Sequence, residues 1–291
     1  MIVAISLLLY VLITLFITNH FKWHYVAAAG LVALISWLDD LYSLSSVFRL
    51  LVHAAAALIV ICGLGFLTDV HLPGFGWNLH VGSVGSAFAF LWIVWMINAY
   101  NFMDGIDGIA GSQAVLAGFS WLIFGYLFGY QSMYFFGGVL AFSSLGFLMH
   151  NWSPAKVFMG DVGSAFLGFT FAVLPLIALN EKPADSYFLF FPAILFLWFF
   201  LFDTVYTLVR RALRGEKVWN PHREHLYQRM TIAGWTHSAV TIIYSGFTAI
   251  VAVTFLIGAF FRGSWELLSL FMAIVLSAAL FLFTVRKKRL T

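Results

Sequence analysis

The segment "SAFAFLWIVWMINAYNFMDGIDG" (residues 86–108) joins a long apolar run to a cluster of polar side chains. A helix needs about 20 mainly apolar residues to cross a bilayer, and this run is of that kind. Asn98, Asn101, Asp104 and Asp107 follow at steps of three, so neighbours in the series adjoin on a helix while the two ends face apart. The pattern predicts a membrane span that ends in a ligand-binding loop, and a plain polar turn is the alternative.

The composition indicates an integral membrane protein. Hydrophobic residues make up 63% of the 291 positions and charged residues 9%, against about 45–50% and 25% in soluble domains. The single cysteine, Cys62, excludes an intramolecular disulfide, and we expect it to be a buried thiol. We predict an all-α, polytopic helical bundle with about ten spans, the first retained rather than cleaved, near residues 1–18, 24–38, 47–67, 86–103, 109–128, 132–149, 164–179, 187–209, 236–260 and 264–285.

Ten spans place both termini on one side, and the basic residues indicate which side that is. Lysine and arginine concentrate in cytoplasmic loops, so the net charge of +3 needs no nucleic-acid partner. Only Lys22, Lys182 and Arg262 fall on the other face. The predicted cytoplasmic face carries Arg49, Lys156, Arg210, Arg211, Arg214, Lys217, Arg223, Arg229, Arg286, Lys287, Lys288 and Arg289.

Two further acidic segments fall on the cytoplasmic face. "WLDDLYS" places Asp39 and Asp40 at the end of an apolar helix, where both can face one site only if the helix frays. "NWSPAKVFMGDVGS" (151–164) places Asp161 just before a span, as a metal carboxylate or a helix cap. Carboxylate and amide oxygens suit Mg²⁺, so we expect these distant loops to converge on a metal site.

The longest polar segment, "RRALRGEKVWNPHREHLYQRM" (210–230), is also cytoplasmic. Its His222, Arg223 and His225 suit a phosphate-binding loop, because arginine pairs with phosphate oxygens. A positive anchor for lipid head groups is the alternative. Within the spans, Arg49 could meet a lipid phosphate, whereas we expect Asp203 to be a structural partner for a basic residue.

The motifs "NAYNFMDGIDG", "FMGDVGS" and "PHREHLYQR", with the earlier "DD", resemble the polyprenyl-phosphate N-acetylhexosamine-1-phosphate transferases of glycosyltransferase family 4. The "HREHLYQR" loop looks most like the O-antigen-initiating branch. The resemblance implies one membrane transferase domain over residues 1–291, with eleven spans in the full-length branch. It also implies active-site loops near 39–46, 98–108, 151–164 and 210–235.

The resemblance further implies transfer of a sugar 1-phosphate from a UDP-N-acetyl sugar to undecaprenyl phosphate, with release of UMP. Mg²⁺ would be the cofactor, with Mn²⁺ as an alternative, and the site would face the cytoplasm of a bacterial inner membrane. A homodimer is left open. By motif, Asp161 and Asp104 would hold the metal beside catalytic Asp107, with Asp39 or Asp40 as base; the substrate-binding set would be Asn98, Asn101, Arg49, His222, Arg223 and His225.

The sequence departs from the family at its start. Members usually begin with one more helix and a loop resembling "PTPRGGG", neither of which precedes residues 1–18 here. An inactive truncated homologue is therefore kept as an alternative. An ion- or proton-coupled transporter is a second alternative, because acids in membrane proteins can mark ion paths. At the opposite face, the turn residues of "TDVHLPGFGWNLHVGSVG" (68–85) suggest a small β-hairpin.

Overall fold

The computed structural model describes residues 22–72, 77–182, 189–217, 223–261 and 265–286, together with Ser6, Leu9 and Val11. These residues form helices joined by short loops and one antiparallel hairpin, β1 (Asp69–Leu72) with β2 (Trp77–His80). The helices are α1 (Trp23–Tyr42), α2 (Ser46–Leu64), α3 (Val84–Phe102), α4 (Ile109–Phe128), α5 (Gln131–Asn151), α6 (Gly160–Glu181), α7 (Phe190–Leu195), α8 (Trp198–Leu213), α9 (Leu226–Ile232), α10 (His237–Phe260) and α11 (Trp265–Arg286).

Eight of the described helices, α1 to α6, α10 and α11, are long and apolar enough to cross a membrane. The prediction of a polytopic helical membrane protein is confirmed. The predicted first span, 1–18, lies outside the described residues except for three positions. The predicted outer hairpin is confirmed, with Asp69 opposite His80 and Leu72 opposite Trp77.

The predicted single span at 187–209 is wrong, because it is divided into α7 and α8. Leu197, between the two helices, has φ −121° and breaks the helical ladder. The freed carbonyl of Phe196 accepts a hydrogen bond from Gln113 Nε2 at 2.7 Å, and Thr248 Oγ1 donates to Gln113 Oε1 at 3.1 Å. A helix can break at membrane depth only where neighbouring groups satisfy its backbone, and buried Gln113 does so here.

Cys62 is exposed, so the expectation of a buried thiol is also wrong. The buried residues of α2 recur at helical spacing from His53 to Leu64 and form one stripe that faces the bundle. Cys62 lies off that stripe, on the face that α2 presents away from the bundle.

The centre of the bundle is α6, whose residues from Gly163 to Ala178 are all buried. Its close approach to α3 depends on Gly168. A Cβ there would lie 2.6 Å from the carbonyl oxygen of Met96 and 3.1 Å from the Cα of Ile97. Because the helices touch at this point, the start of α6 and the end of α3 are held side by side.

At the opposite end of the bundle, charged side chains at the end of α6 form hydrogen bonds with backbone groups where α4 ends and α5 begins. Glu181 accepts hydrogen bonds from the backbone N–H groups of Gln131 and Ser132 at 2.6 and 3.0 Å. Lys182 Nζ donates to the carbonyl of Phe128 at 2.6 Å. A carboxylate thus meets a helix N-terminus and an ammonium meets a helix C-terminus, which is the favourable arrangement for both helix dipoles.

Among the described helices, α4 and α5 share the most extensive contact, and glycines permit their close approach. A Cβ on Gly137 would lie 2.4 Å from the backbone nitrogen of Leu122 and 2.7 Å from the carbonyl oxygen of Gly118. Small residues at such contacts let membrane helices approach closely and gain dispersion energy.

We therefore expect Gly137→Ala to lower the melting temperature of the purified protein in detergent. The added methyl group meets rigid backbone, and overpacking of this kind typically costs about 1–3 kcal/mol. The matched control is Gly146→Ala on the same helix, where a Cβ would have no neighbour within 4 Å. Equal melting temperatures for the two variants would contradict the proposed role of Gly137.

Candidate active site

Three helix ends that are far apart in sequence meet at Asp161, in the first turn of α6. Its carboxylate accepts hydrogen bonds from Asn101 Nδ2, near the end of α3, and from Arg49 Nη1, near the start of α2, each at 3.1 Å. Ser164 Oγ donates to Asn101 Oδ1 at 2.6 Å and so fixes the orientation of the amide. The expected convergence of distant loops is confirmed for these residues.

Asp39 and Asp40 both reach this cluster from the last turn of α1. Asp39 pairs with Arg49 and accepts a hydrogen bond from the backbone N–H of Leu44 at 2.7 Å. Asp40 Oδ1 accepts from the backbone N–H of Asp161 at 3.2 Å. The expectation that the helix must fray is wrong, because α1 continues to Tyr42. Asp39 and Asp40 reach the cluster through different partners, Arg49 and the backbone of Asp161.

Asp40 also explains the glycine before Asp161. Gly160 has φ +66°, and a Cβ there would lie 2.8 Å from Asp40 Oδ2. The carboxylate of Asp40 therefore lies against the N-terminus of the 22-residue helix α6. Such a terminus carries partial positive charge, which favours carboxylates and phosphate groups.

Asp104 interacts electrostatically with Asp161. It is half-buried in the loop after α3. Burial, with the nearby negative charge of Asp161, raises the pKa of Asp104 from 3.8 to about 7. Close carboxylates resist joint ionisation, and a cation placed between them removes that penalty. Asp104 thus adds a second negative charge close enough to be affected by Asp161.

Two residues of the predicted set face elsewhere. Asn98 donates to the carbonyl of Val94 in its own helix at 2.7 Å. Asp107 accepts from the backbone N–H of Ala155 at 3.2 Å and lies 3.3 Å from His237 Nδ1. Burial raises the pKa of Asp107, but hydrogen bonds from Ala155 and Ser153 and the proximity of His237 outweigh it, so the pKa is lowered. In this structure Asp107 ties its loop to those before α6 and α10.

The fourth predicted loop is described from residue 223 onward, so His222 lies outside the described residues. Arg223 is exposed, whereas His225 is buried, with its Nδ1 3.2 Å from Asp203 Oδ1. Asp203 is thus the partner of a basic residue. Tyr227 donates its hydroxyl to the carbonyl of Phe102 at 2.9 Å, which brings this loop against the end of α3.

The arginines at the end of α8 are paired with acids rather than gathered into one basic surface. Arg211 Nε donates to Glu216 at 2.9 Å, and Arg214 bonds both Glu216 and Glu224. Arg210 lies 3.6 Å from Glu224. Exposed Arg223, closer along the chain to Tyr227, is therefore the better candidate for a phosphate contact.

The oxygen atoms of the acidic cluster can be compared with the ligands that Mg²⁺ prefers. Among the described residues, no three His, Cys, Asp or Glu side chains form a preformed metal cage. Mg²⁺ usually takes only one or two carboxylates and completes its shell with water and substrate phosphates. Asp104 and Asp161 supply two carboxylates to this region. The oxygens present fit Mg²⁺ bound together with a phosphate substrate.

Sequence reasoning missed several residues that support the site: His237, Asn151 and Tyr227. Asn151 Oδ1 accepts from the backbone N–H of Gly108 at 3.0 Å, and its Nδ2 donates to the carbonyl of Val157 at 2.8 Å. His237 is 130 positions from Asp107, so no local spacing connects them. Asn151 is the first residue of the quoted segment 151–164. A polar amide at that position was the available sign that it bonds a neighbouring loop, here at Gly108.

The chain is a polytopic helical membrane protein in which several helices end at a cluster of carboxylates with basic side chains beside it. The sequence profile of glycosyl transferase family 4 matches residues 22–179, which is more than half of the chain. The chain belongs to this family, as its motifs predicted.

Three relatives illustrate the range of the family. A protein of Bacillus subtilis named probable undecaprenyl-phosphate N-acetylglucosaminyl 1-phosphate transferase is 29% identical over 74% of this chain and 60% of its own length. The undecaprenyl-phosphate alpha-N-acetylglucosaminyl 1-phosphate transferase of Yersinia pestis is 29% identical over 87% of this chain and 70% of its own. The phospho-N-acetylmuramoyl-pentapeptide-transferase of Staphylococcus saprophyticus is 27% identical over 62% and 53%. The chain thus spans well under the full length of these proteins.

The bridging position of Arg49 leads to a prediction about cation binding. In Arg49→Met, Asp39 and Asp161 lose their shared cation, so we expect a lower melting temperature in detergent that millimolar Mg²⁺ restores. The measurement is thermal unfolding with and without MgCl₂, using KCl of equal ionic strength to correct for screening.

The matched control is Arg214→Met, which also removes a guanidinium from between two carboxylates, those of Glu216 and Glu224. That site lies outside the acidic cluster, and we expect no specific Mg²⁺ response. If Mg²⁺ stabilises both variants equally, Asp39 and Asp161 have no special affinity for the ion.

Proposed function

We propose that the chain transfers an N-acetylhexosamine 1-phosphate from a UDP-sugar to undecaprenyl phosphate, giving undecaprenyl-diphosphate-sugar and UMP. The observation that supports this most directly is the junction at Asp161. There Asn101, Arg49 and the last turn of α1 meet where apolar helices end. A lipid phosphate lies at the same level of a bilayer, so a membrane-bound acceptor and a soluble donor can both reach this junction.

An apolar groove supports a long hydrocarbon acceptor. Its volume is about 560 Å³, and it lies between α3 and the α7–α8 segment. The residues that line it are Phe88, Leu91, Trp92, Trp95, Ile194, Trp198, Leu201, Phe202 and Val205. Trp95 and Asn101 are separated by about 9 Å along α3, at 1.5 Å per residue. A prenyl chain in the groove would therefore run along α3 toward the end of the bundle that carries the acidic cluster.

The proposed reaction is one displacement at phosphorus. An oxygen of the lipid phosphate attacks the sugar-bearing phosphorus of the donor, the P–O bond to the uridine-bearing phosphate breaks, and UMP leaves with that bonding pair. Such reactions depend chiefly on positioning and on neutralising charge over the phosphate oxygens. The acceptor, the donor and the acidic cluster are all anionic, so the site needs cations to bring them together.

We assign the cationic roles as follows. Arg49 seats the lipid phosphate, and Arg223, with its sequence neighbours His222 and His225, contacts the donor diphosphate. Asp161 and Asp104 would hold Mg²⁺, which when bound neutralises phosphate charge as a Lewis acid. Asn101 orients the carboxylate of Asp161 through its 3.1 Å hydrogen bond. Asn98 and Asp107, which were also predicted for the site, bond elsewhere in this structure and are given no substrate contact in the proposal.

Asp39 and Asp40 act as positioning groups in this proposal. The second pKa of a phosphomonoester is about 6, so the lipid phosphate is mostly a dianion at neutral pH and needs little deprotonation. The hydrogen bonds agree with that role, because Asp39 holds Arg49 and Asp40 holds the first turn of α6.

We further propose that the active site faces the cytoplasm, where UDP-sugars are made, and that the membrane is the bacterial inner membrane. Twelve of the 15 lysine and arginine residues fall on that face by sequence. UDP-N-acetylglucosamine is the first donor to test, because the Bacillus and Yersinia relatives are named for that sugar. The product would start an envelope glycan such as O-antigen.

The decisive assay supplies purified protein with UDP-N-acetylglucosamine, undecaprenyl phosphate and Mg²⁺ and measures UMP. We expect release by the wild type and a loss of about a hundredfold or more in Asp161→Asn, the scale for removing one preorganised electrostatic group. Asp69→Asn, on the hairpin at the other end of the bundle, is the control and should retain wild-type turnover.

Absence of UMP release from the wild type with any UDP-N-acetyl sugar would refute the transferase and favour a transporter or an inactive homologue. Full activity of Asp161→Asn would leave the reaction standing but remove Asp161 from its proposed role.

A further inference from the structure

Asp203, on α8, is fully buried, yet it is a carboxylate in a membrane protein. Removing an ion from water is costly unless hydrogen bonds replace the lost hydration. Two of its contacts are with side chains, one on α8 itself and one on the neighbouring helix α10. Thr207 Oγ1 donates to Oδ1 at 3.2 Å, and the hydroxyl of Tyr244, on α10, donates to Oδ2 at 2.6 Å.

The remaining contacts of Asp203 all go to the start of α9. The backbone N–H of Leu226 donates to Oδ1 at 2.7 Å, and that of Tyr227 donates to Oδ2 at 3.1 Å. His225 Nδ1 lies 3.2 Å from Oδ1. One buried carboxylate therefore holds three consecutive residues, which begin two positions after exposed Arg223.

The anchored segment bears directly on the acidic loop. Tyr227 donates its hydroxyl to the carbonyl of Phe102, and a Cβ on Gly105 would lie 2.0 Å from that hydroxyl oxygen. The rings of His225 and Tyr227 stack at 5.8 Å, and His225 also lies 6.3 Å from the ring of Phe102. A shift of α9 would therefore displace both Arg223 and the loop that carries Asp104.

We propose that Asp203 is a positioning residue for the donor side of the site, because it fixes His225 and the start of α9 against the end of α3. The inference rests on the proposed transferase function and assigns Asp203 to the binding of the donor rather than of the acceptor. Asp203 sets how well the nucleotide diphosphate is bound. It leaves the acceptor side, formed by Arg49, Asp39 and Asp40, unaffected, because its contacts lie on α8, α9 and α10.

The test is Asp203→Asn, which keeps the shape of the side chain. An amide has one acceptor oxygen, so its NH₂ group must face an N–H of α9 or a hydroxyl that previously donated. We expect the KM for the UDP-sugar and the Kd for UMP to rise about tenfold, equivalent to about 1.4 kcal/mol. The KM for undecaprenyl phosphate should change by less than about threefold, a difference of about 0.7 kcal/mol.

The matched control is Thr207→Val, which removes one hydrogen bond from the same carboxylate but leaves His225, Leu226 and Tyr227 anchored. We expect wild-type KM values for both substrates. Hydrogen exchange at the amides of Leu226 and Tyr227 should accelerate in Asp203→Asn and remain slow in Thr207→Val. Melting temperatures of both variants establish that each is folded in the assay.

The outcomes separate the two proposals. An active wild type with an unchanged donor KM and UMP Kd in Asp203→Asn contradicts the positioning role alone. Equal increases in the KM for both substrates, or the same effects in Thr207→Val, also contradict it, because they indicate general loosening. A wild type that neither binds UMP nor releases it refutes the transferase function, and this inference with it.

Discussion

The site depends on the compensation of negative charge where the helices end at the membrane boundary. Asp161 is held by the guanidinium of Arg49 and the amide of Asn101, and Arg49 in turn pairs with Asp39. Each contact joins a different pair of helices, so the ends of α1, α2, α3 and α6 are fixed by one small electrostatic network. Without the guanidinium of Arg49 and the amide donor of Asn101, the carboxylates of this network would repel one another and favour separation of the helices.

The geometry of that network is set by apolar packing deeper in the bundle. α6 is buried along most of its length, and Gly168 lets it touch the backbone of α3. Because both helices are rigid, a contact two turns below the site determines the distance between Asn101 and Asp161. The buried carboxylate of Asp203 has a comparable effect on the other side, since it holds a short helix that could not be stable alone. Apolar contacts thus set the spacing, and charges set the orientation.

The sequence predicted the features that depend on composition and local pattern. The membrane spans, the outer hairpin, the family and the meeting of Asp39, Asp40, Asn101 and Asp161 follow from long apolar runs that end in polar motifs. It did not predict the break at Leu197, because Phe196 and Leu197 are as apolar as their neighbours and the compensating Gln113 is 83 positions away. The same limit applies to His237 beside Asp107. Local pattern shows that a polar group exists, whereas its partner is decided by packing between helices.

The paired charges of Glu181 and Lys182 have a consequence for the end of the bundle away from the site. They satisfy the N-terminus of α5 and the C-terminus of α4 with protein groups alone, and Lys182 also lies 4.7 Å above the ring of Tyr130. Helix ends that are not compensated in this way depend on water or lipid head groups. The backbone groups that Glu181 and Lys182 bond at this corner do not need such partners, so their geometry should be insensitive to the lipid composition of that leaflet.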